Sequence, residues 1–186
     1  MNENILEIND LAVSFSVGGE RLHALRGVSL SLRHGETLAL VGESGSGKSV
    51  TSRAVLGILP KNARVDGGSI KFCGKEIIGA TEKELCALRG RQMAMIFQDP
   101  TSALDPELTG EVLRVIRGLK SEDSTMIVVT HEMEFARNVA DTVIYMADGV
   151  IEEMGTPEEL LEKKGKYYKL IKIQSLNSRS DEITLD

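Results

Sequence analysis

The chain is poor in the residues that mark several specialised classes of protein. Its 186 residues include no tryptophan, 4% aromatic residues and two cysteines, Cys73 and Cys86. Proteins that stack the bases of single-stranded nucleic acid need aromatic side chains, so such a platform is not expected. The cysteines have no partners at metal-ligand spacing, and we expect both to be reduced and chemically inert.

The sequence also lacks long hydrophobic runs and an excess of positive charge. No apolar run approaches the length of a membrane span, and the N-terminus does not have the pattern of a signal peptide. The net charge of -6 and pI near 5.2 argue against a nucleic-acid partner. With 41% hydrophobic and 27% charged residues, the composition predicts a globular cytoplasmic protein with one α/β domain.

One segment is rich in glycine and carries a specific chemistry. Residues 42–49 read G-E-S-G-S-G-K-S, which matches the phosphate-binding pattern G-x-x-x-x-G-K-[ST]. The glycines let backbone N–H groups turn toward anionic oxygens. Lys48 can approach the β- and γ-phosphates of a nucleotide, and the Ser49 hydroxyl can bind Mg²⁺.

The flanking segments strengthen this interpretation. Residues 37–41 predict a buried parallel strand, and residues 48–59 predict a helix that ends at Pro60. A strand, a glycine loop and a helix N-terminus place a helix dipole against a phosphate. A Gly/Ser-rich turn without a ligand is the alternative, but the flanking strand and helix favour nucleotide binding.

The remaining pattern predicts an antiparallel N-terminal part followed by alternating strands and helices. Expected strands occupy residues 6–15, 28–32, 69–72, 76–78, 92–97, 126–129, 142–146 and 150–154, and helices start after Thr81, Asp105 and Thr156. The strand at 126–129 delivers Thr130 and His131 to its carboxyl end, where open α/β sheets bind ligands. A lone histidine there is more often a satisfied polar residue than a catalytic one.

Taken in order, these motifs resemble the ATP-binding subunit of an ABC transporter of the importer type. Four segments carry the resemblance: residues 42–49 (the Walker A loop), Met95-Ile96-Phe97-Gln98-Asp99-Pro100 (the Q-loop), Ser102-Ala103-Leu104-Asp105 (the D-loop) and Val128-Val129-Thr130-His131-Glu132 (the switch histidine). Up to residue 100 the chain is similar to peptide or nickel importers, and residues 101–160 are similar to polar amino-acid importers.

The resemblance implies a fold and a ligand. The fold is an α/β P-loop NTPase core with an N-terminal antiparallel β subdomain, formed by residues 1–174 as a single nucleotide-binding domain and followed by a disordered tail at 175–186. The ligand is ATP with Mg²⁺. The residues implied to bind it are Phe15 (stacked on adenine), Gly42, Glu43, Ser44, Gly45, Ser46, Gly47, Lys48, Ser49 and Val50.

The resemblance also implies catalytic residues and partners. His131 contacts the γ-phosphate, Gln98 reaches Mg²⁺ and the attacking water, and Ser49 is the other metal ligand. The partners are a second nucleotide-binding domain and transmembrane permease subunits, so the chain is expected at the inner face of the cell membrane.

Parts of the family pattern are missing. No Leu-Ser-Gly-Gly-Gln signature occurs, and no apolar strand ends in Asp-Glu-Pro. The helical subdomain that separates these motifs from the Q-loop is absent at the junction of Pro100 and Thr101. One hypothesis is that residues 93–97 fill the missing strand's position. Gln98 and Asp99 would then replace the Mg²⁺-binding aspartate and the catalytic glutamate.

Two other classes of function stay open. The chain could be a non-catalytic ATP-binding module or a deletion product that folds without activity. It could also be a different P-loop enzyme, a GTPase or a small-molecule kinase. The absence of Asn-Lys-x-Asp argues against a GTPase, and His131 after an apolar strand argues against both.

Overall fold

A computed structural model describes residues 4–89, 114–115, 118 and 125–182, without the side chains of Glu134 and of residues 176–182. The predicted strand at 92–97, Gln98, Asp99 and the D-loop lie outside the described residues. The predicted start of a helix after Asp105 does so too.

The first sheet is antiparallel, as the N-terminal pattern predicts. It consists of β1 (Asn4–Val17), β2 (Glu20–Arg33), β4 (Ala63–Phe72) and β5 (Lys75–Glu76), in the order β2-β1-β4-β5. In β1 the alternating residues Leu6 and Ile8 are buried. A register shift then passes through Asp10, whose φ is 50°, and puts Leu11 and Val13 on the buried side.

The second sheet contains the predicted parallel strands. β3 (Thr37–Val41) lies between β6 (Met126–Val129) and β7 (Thr142–Ala147) and is parallel to both, while β8 (Val150–Gly155) pairs antiparallel with β7. All of β3 is buried, because strands flank it on both sides and side chains cover both faces.

The described helices are α1 (Lys48–Val55), α2 (Glu82–Leu88), α3 (Met133–Val139), α4 (Pro157–Lys163) and α5 (Lys166–Glu182). The capping boxes predicted at Thr81 and Thr156 are both present. No described helix is both long enough and apolar enough to cross a membrane. The backbone is helical through Glu182, and the division of the chain at residue 174 stays a prediction.

The predicted end of the first helix is wrong. We expected α1 to continue to residue 59 and to stop at Pro60, but it ends at Val55. Gly57, with φ of 62°, donates its N–H to the Ala54 carbonyl, and the Ile58 N–H bonds the Arg53 carbonyl. These two bonds form a glycine-based helix end, so the glycine stops the helix before the proline is reached.

Two groups of buried apolar side chains lie on opposite faces of the second sheet. Leu38 and Leu40 of β3 face the first sheet and α1, whereas Ala39 and Val41 face α3, α4 and α5. This division follows from the alternation of side chains along a strand. The second group, called here the switch-side core, comprises Ala39, Val41, Met133, Ala136, Ala140, Val143, Tyr145, Leu160 and Tyr167.

Candidate functional site

The predicted loop connects the carboxyl end of β3 to α1, and its geometry requires glycine at two positions. Gly42 has φ of 142°, and a Cβ there would overlap the carbonyl oxygen of Met146. Gly47 has φ of 103°, and a Cβ there would lie 2.7 Å from Leu25 Cδ2. The backbone of this loop therefore lies directly against β7 and β2, in a conformation that other residues rarely adopt.

The Lys48 side chain folds back into the loop. Its Nζ donates to the carbonyl oxygens of Gly42 at 2.8 Å and Glu43 at 2.7 Å, and to Ser46 Oγ at 3.1 Å. Lys48 is buried, and this burial lowers its pKa, while the carboxylate of Glu43 acts in the opposite direction. The loop thus holds an ammonium group in a fixed position at its inner side.

The start of α1 favours an anion. No side chain caps this helix, and its first turn contains no acidic residue. First-turn N–H donors and the positive end of the helix dipole therefore face the loop. Ser49 is exposed at this end. The described residues contain no cluster of three or more His, Cys, Asp or Glu side chains. The Ser49 hydroxyl is of the type that could bind a Mg²⁺ ion together with phosphate oxygens, since Mg²⁺ keeps few protein ligands.

The turn between β7 and β8 is hydrogen-bonded to the phosphate loop. The Gly149 N–H donates to the Ser46 carbonyl at 3.2 Å, and the Arg26 N–H donates to the Gly149 carbonyl at 2.9 Å. Gly149 has φ of 77°, and a Cβ there would overlap the Ala24 carbonyl oxygen. The sequence predicts Asp148-Gly149 as a hairpin turn. Its contact with the phosphate loop was not predicted, because an Asp-Gly pair specifies a turn and nothing beyond it.

The predicted switch histidine lies at the same edge of the sheet. Leu40 of β3 pairs with Val129 of β6, and the Thr130 N–H continues the ladder to the Leu40 carbonyl at 3.2 Å. His131, which follows, is exposed. Parallel pairing therefore brings His131 and Gly42 to neighbouring strand ends, although the two motifs are far apart in sequence.

Gln174 of α5 contacts the switch segment, and the sequence does not predict this contact. Its Nε2 donates to the His131 carbonyl at 2.7 Å, and its Oε1 accepts from the Met133 N–H at 3.1 Å. A glutamine in the middle of a helix carries no sequence signal for such a contact.

Two other predicted residues pack against the group of buried side chains that includes Leu38 and Leu40. Phe15 is in β1, between Leu22 of β2 and Ala63 of β4, and is half-buried. Val50 of α1 packs against the same core. The adenine-stacking role of Phe15 stays a prediction.

Comparison with known proteins confirms the predicted resemblance. The family model described as ABC transporter matches residues 25–164. The dipeptide transport ATP-binding protein DppD of Bacillus subtilis (strain 168) is 48% identical over 108 residues, 58% of this chain and 32% of the relative. The arginine transport ATP-binding protein ArgV of Corynebacterium glutamicum is 63% identical over 68 residues, 37% of this chain and 27% of the relative. The chain spans about a third of the length of the curated relatives it matches.

Solved structures share the fold. A dimeric ATP-binding cassette in a post-hydrolysis state, bound to ADP and Pi, aligns with a TM-score of 0.67 at 16% identity, covering 82% of this chain and 98% of that chain. A bacterial Atm1-family ABC exporter with ATP bound aligns with a TM-score of 0.71 at 18% identity, covering 94% of this chain and 43% of that chain. The fold class is therefore the predicted one, a P-loop α/β core with an antiparallel β subdomain. The match over residues 25–164 shows that the chain belongs to the ABC transporter family and is related to its ATP-binding subunits.

Proposed function

We propose that this chain binds Mg²⁺-ATP at the loop 42–49 and is the ATP-binding, energy-coupling part of an importer for peptides, nickel or amino acids. The observation that carries the proposal is the buried Lys48 ammonium, held in a glycine loop at the uncapped N-terminus of α1. A lysine ammonium beside first-turn N–H donors is suited to a polyphosphate.

The proposal assigns a role to each of Lys48, Ser49, Gln98 and His131. Lys48 leaves its internal acceptors to bind the β- and γ-phosphates, and Ser49 with Gln98 binds the metal. When bound, Mg²⁺ neutralises phosphate charge. His131 contacts the terminal phosphate from the adjacent strand end.

The class of solute is supported by two relatives, one named for dipeptide transport and one named for arginine transport.

We propose that hydrolysis is impaired. The signature that clamps the γ-phosphate from a second domain is missing from the sequence. In the hypothesis drawn from the sequence, residues 93–97 take the position of the missing strand. Asp99 would then act as the base. An aspartate is one methylene shorter than glutamate, and a displacement of about 1 Å can cost roughly 100-fold in rate.

The partners are proposed by the same reasoning. A second nucleotide-binding domain would close over the nucleotide, and permease subunits would hold the chain at the inner face of the membrane. The missing helical subdomain would provide much of the surface that docks a permease. The chain therefore supports permease coupling less well than it supports nucleotide binding.

The decisive experiment measures ATP binding and turnover by the purified chain and by Lys48→Ala and His131→Ala. Loss of a charge-assisted contact should weaken ATP binding about 10- to 100-fold in Lys48→Ala. Lys61→Ala, which removes an exposed lysine elsewhere, is the matched control and should bind as wild type does. Equal ATP affinity in Lys48→Ala and Lys61→Ala would contradict the proposed site.

Turnover separates the enzyme from the alternative. Slow, Mg²⁺-dependent hydrolysis that disappears in Asp99→Asn supports the replacement of the catalytic base, and unchanged turnover in that variant rules it out. ATP binding without turnover supports a non-catalytic module, and a folded chain that binds no ATP is an inert deletion product.

A further inference from the structure

One face of α5 packs against the helix that follows the switch histidine. Tyr167, Leu170 and Ile171 of α5 belong to the switch-side core or pack on it, together with Met133 and Ala136 of α3. These α5 positions have the spacing i, i+3 and i+4, and the next position on the same face, i+7, is Gln174. The apolar face therefore ends in a polar side chain at the level of the switch segment.

Gln174 supplies a helix cap that the local sequence does not provide. The N-cap residue of α3, Glu132, makes no capping hydrogen bond through its side chain. The Met133 N–H is in the first turn of α3 and has no acceptor within the helix. Gln174 Oε1 accepts that N–H at 3.1 Å, and the Nε2 of the same amide donates to the His131 carbonyl at 2.7 Å.

Hydrogen bonds hold the switch segment, which comprises residues 128–132, at successive positions. The Thr130 N–H bonds the Leu40 carbonyl of β3, and Thr130 Oγ1 accepts the Glu132 N–H at 3.0 Å. Gln174 then holds the backbone before and after Glu132. Of these ties, the Gln174 amide alone comes from a helix remote in sequence, so it links the backbone of His131 to α5.

We propose that Gln174 is a positioning residue that fixes the backbone of His131 for contact with the terminal phosphate and couples α5 to the nucleotide site. The coupling rests on the proposed function, because it needs a bound nucleotide. The choice of side chain follows from the two contacts. An amide offers a donor and an acceptor together, whereas glutamate offers no donor to the His131 carbonyl and leucine offers neither group.

The first measurement needs no nucleotide. Backbone hydrogen exchange at Met133 is compared among wild type, Gln174→Leu, Gln174→Glu and Lys169→Ala, the last removing an exposed side chain of α5 as control. Loss of one hydrogen bond should speed exchange at Met133 about tenfold in Gln174→Leu. Gln174→Glu, which keeps an acceptor, and Lys169→Ala should stay near wild type. Exchange at Leu40 in the buried strand β3 should not change in any variant. Unchanged exchange at Met133 in Gln174→Leu would overturn the proposal.

The second measurement follows the histidines during nucleotide titration. The chain has three histidines, so the His131 imidazole signal can be assigned by NMR as the one missing from His131→Ala. In wild type, a non-hydrolysable ATP analogue should move the His131 signal more than ADP does. In Gln174→Leu this difference should be lost while ADP affinity stays within about twofold, because ADP lacks the γ-phosphate. In Gln174→Glu the loss of the donor should reduce the difference without abolishing Met133 protection.

The outcomes distinguish the two proposals. Faster Met133 exchange together with loss of the ATP-specific shift supports the positioning role, and an ATP-specific shift retained in Gln174→Leu overturns it. A wild-type protein that binds neither nucleotide contradicts the proposed function instead. In that case faster Met133 exchange still supports Gln174 as the residue that positions the His131 backbone.

Discussion

The phosphate loop and the switch segment lie side by side, yet they are held in different ways. The loop touches backbone atoms on several sides: Met146 of β7, Ala24 of β2 and Gly149 of the β7–β8 turn. The described contacts of the switch segment include the bond from Thr130 to β3 and two hydrogen bonds from the side chain of Gln174. The contacts of the loop are with backbone atoms of the two sheets and of the β7–β8 turn, so they persist as long as the sheets are folded. A side-chain contact from a neighbouring helix can be lost by itself.

The strands that carry these two segments show the same difference. Every residue of β3 is buried, whereas every residue of β6 is half-buried, although both are short apolar runs. β3 has a strand on each side, and among the described residues β6 has only β3. Among the described residues, the phosphate loop thus follows the more deeply buried of the two strands, and the switch segment follows the less buried one.

The largest expected effect comes from breaking the support of the loop. Gly149→Ala forces a Cβ against the Ala24 carbonyl at a φ of 77°, and we expect a loss of about 3 kcal/mol in the free energy of unfolding. Gly74→Ala is the matched control, because its φ is 75° but no atom lies within 4 Å of the added Cβ. That variant should lose only about 1 kcal/mol, the cost of the backbone conformation. Urea unfolding of both variants measures the difference, and equal losses would show that the loop does not depend on this contact.

A smaller effect concerns the packing of α5 beneath the switch. Burial raises the pKa of the Tyr167 phenol to about 12, and its hydroxyl has no hydrogen-bond partner among the described residues. Below pH 10 the phenol is neutral in both the folded and the unfolded chain. Between pH 10 and 12 only the unfolded chain ionises, so folding stability falls as the pH rises.

The variant Tyr167→Phe removes this group. At pH 7 it should be as stable as wild type or more stable by about 1 kcal/mol, because a buried hydroxyl without a partner is removed. Between pH 10 and 11 wild type should lose about 1 kcal/mol more than the variant. Urea unfolding across this pH range checks the prediction, and parallel pH profiles for the two proteins would show that folding does not raise the pKa of Tyr167.

The smallest effect compares the two capping boxes. Thr156 Oγ1 accepts the Glu159 N–H at 3.2 Å on the switch side, and Thr81 Oγ1 accepts the Glu84 N–H at 3.4 Å beside the first sheet. Both Thr156→Ala and Thr81→Ala should lose about 0.5–1 kcal/mol of unfolding free energy. Because these caps are local, thermal unfolding should give similar losses in the two regions. A much larger loss at Thr156 would mean that α5 docks only when α4 is intact.

Much of the fold could be predicted because its signals are local. Alternation predicted most of β1 and only residues 28–32 of β2, which begins at Glu20. The Thr81 and Thr156 boxes predicted helix starts, and the Asp148-Gly149 turn predicted the last hairpin. The predicted end of α1 is wrong because Gly57, at positive φ, ends the helix before Pro60. The roles of Gly149 and Gln174 were not predicted, since each depends on a partner distant in sequence.

By itself, the sequence determined the chemistry of the phosphate loop. The spacing of Gly42, Gly47, Lys48 and Ser49 specifies backbone conformation, charge and helix start within eight residues, and these are properties of neighbouring residues. Only the tertiary structure decided what supports that loop and what holds the histidine beside it. The register of β3 against β6 brings His131 to the site, and the docking of α5 brings Gln174 to His131. Both are long-range contacts, set by how strands pair and helices pack, and no local pattern encodes them.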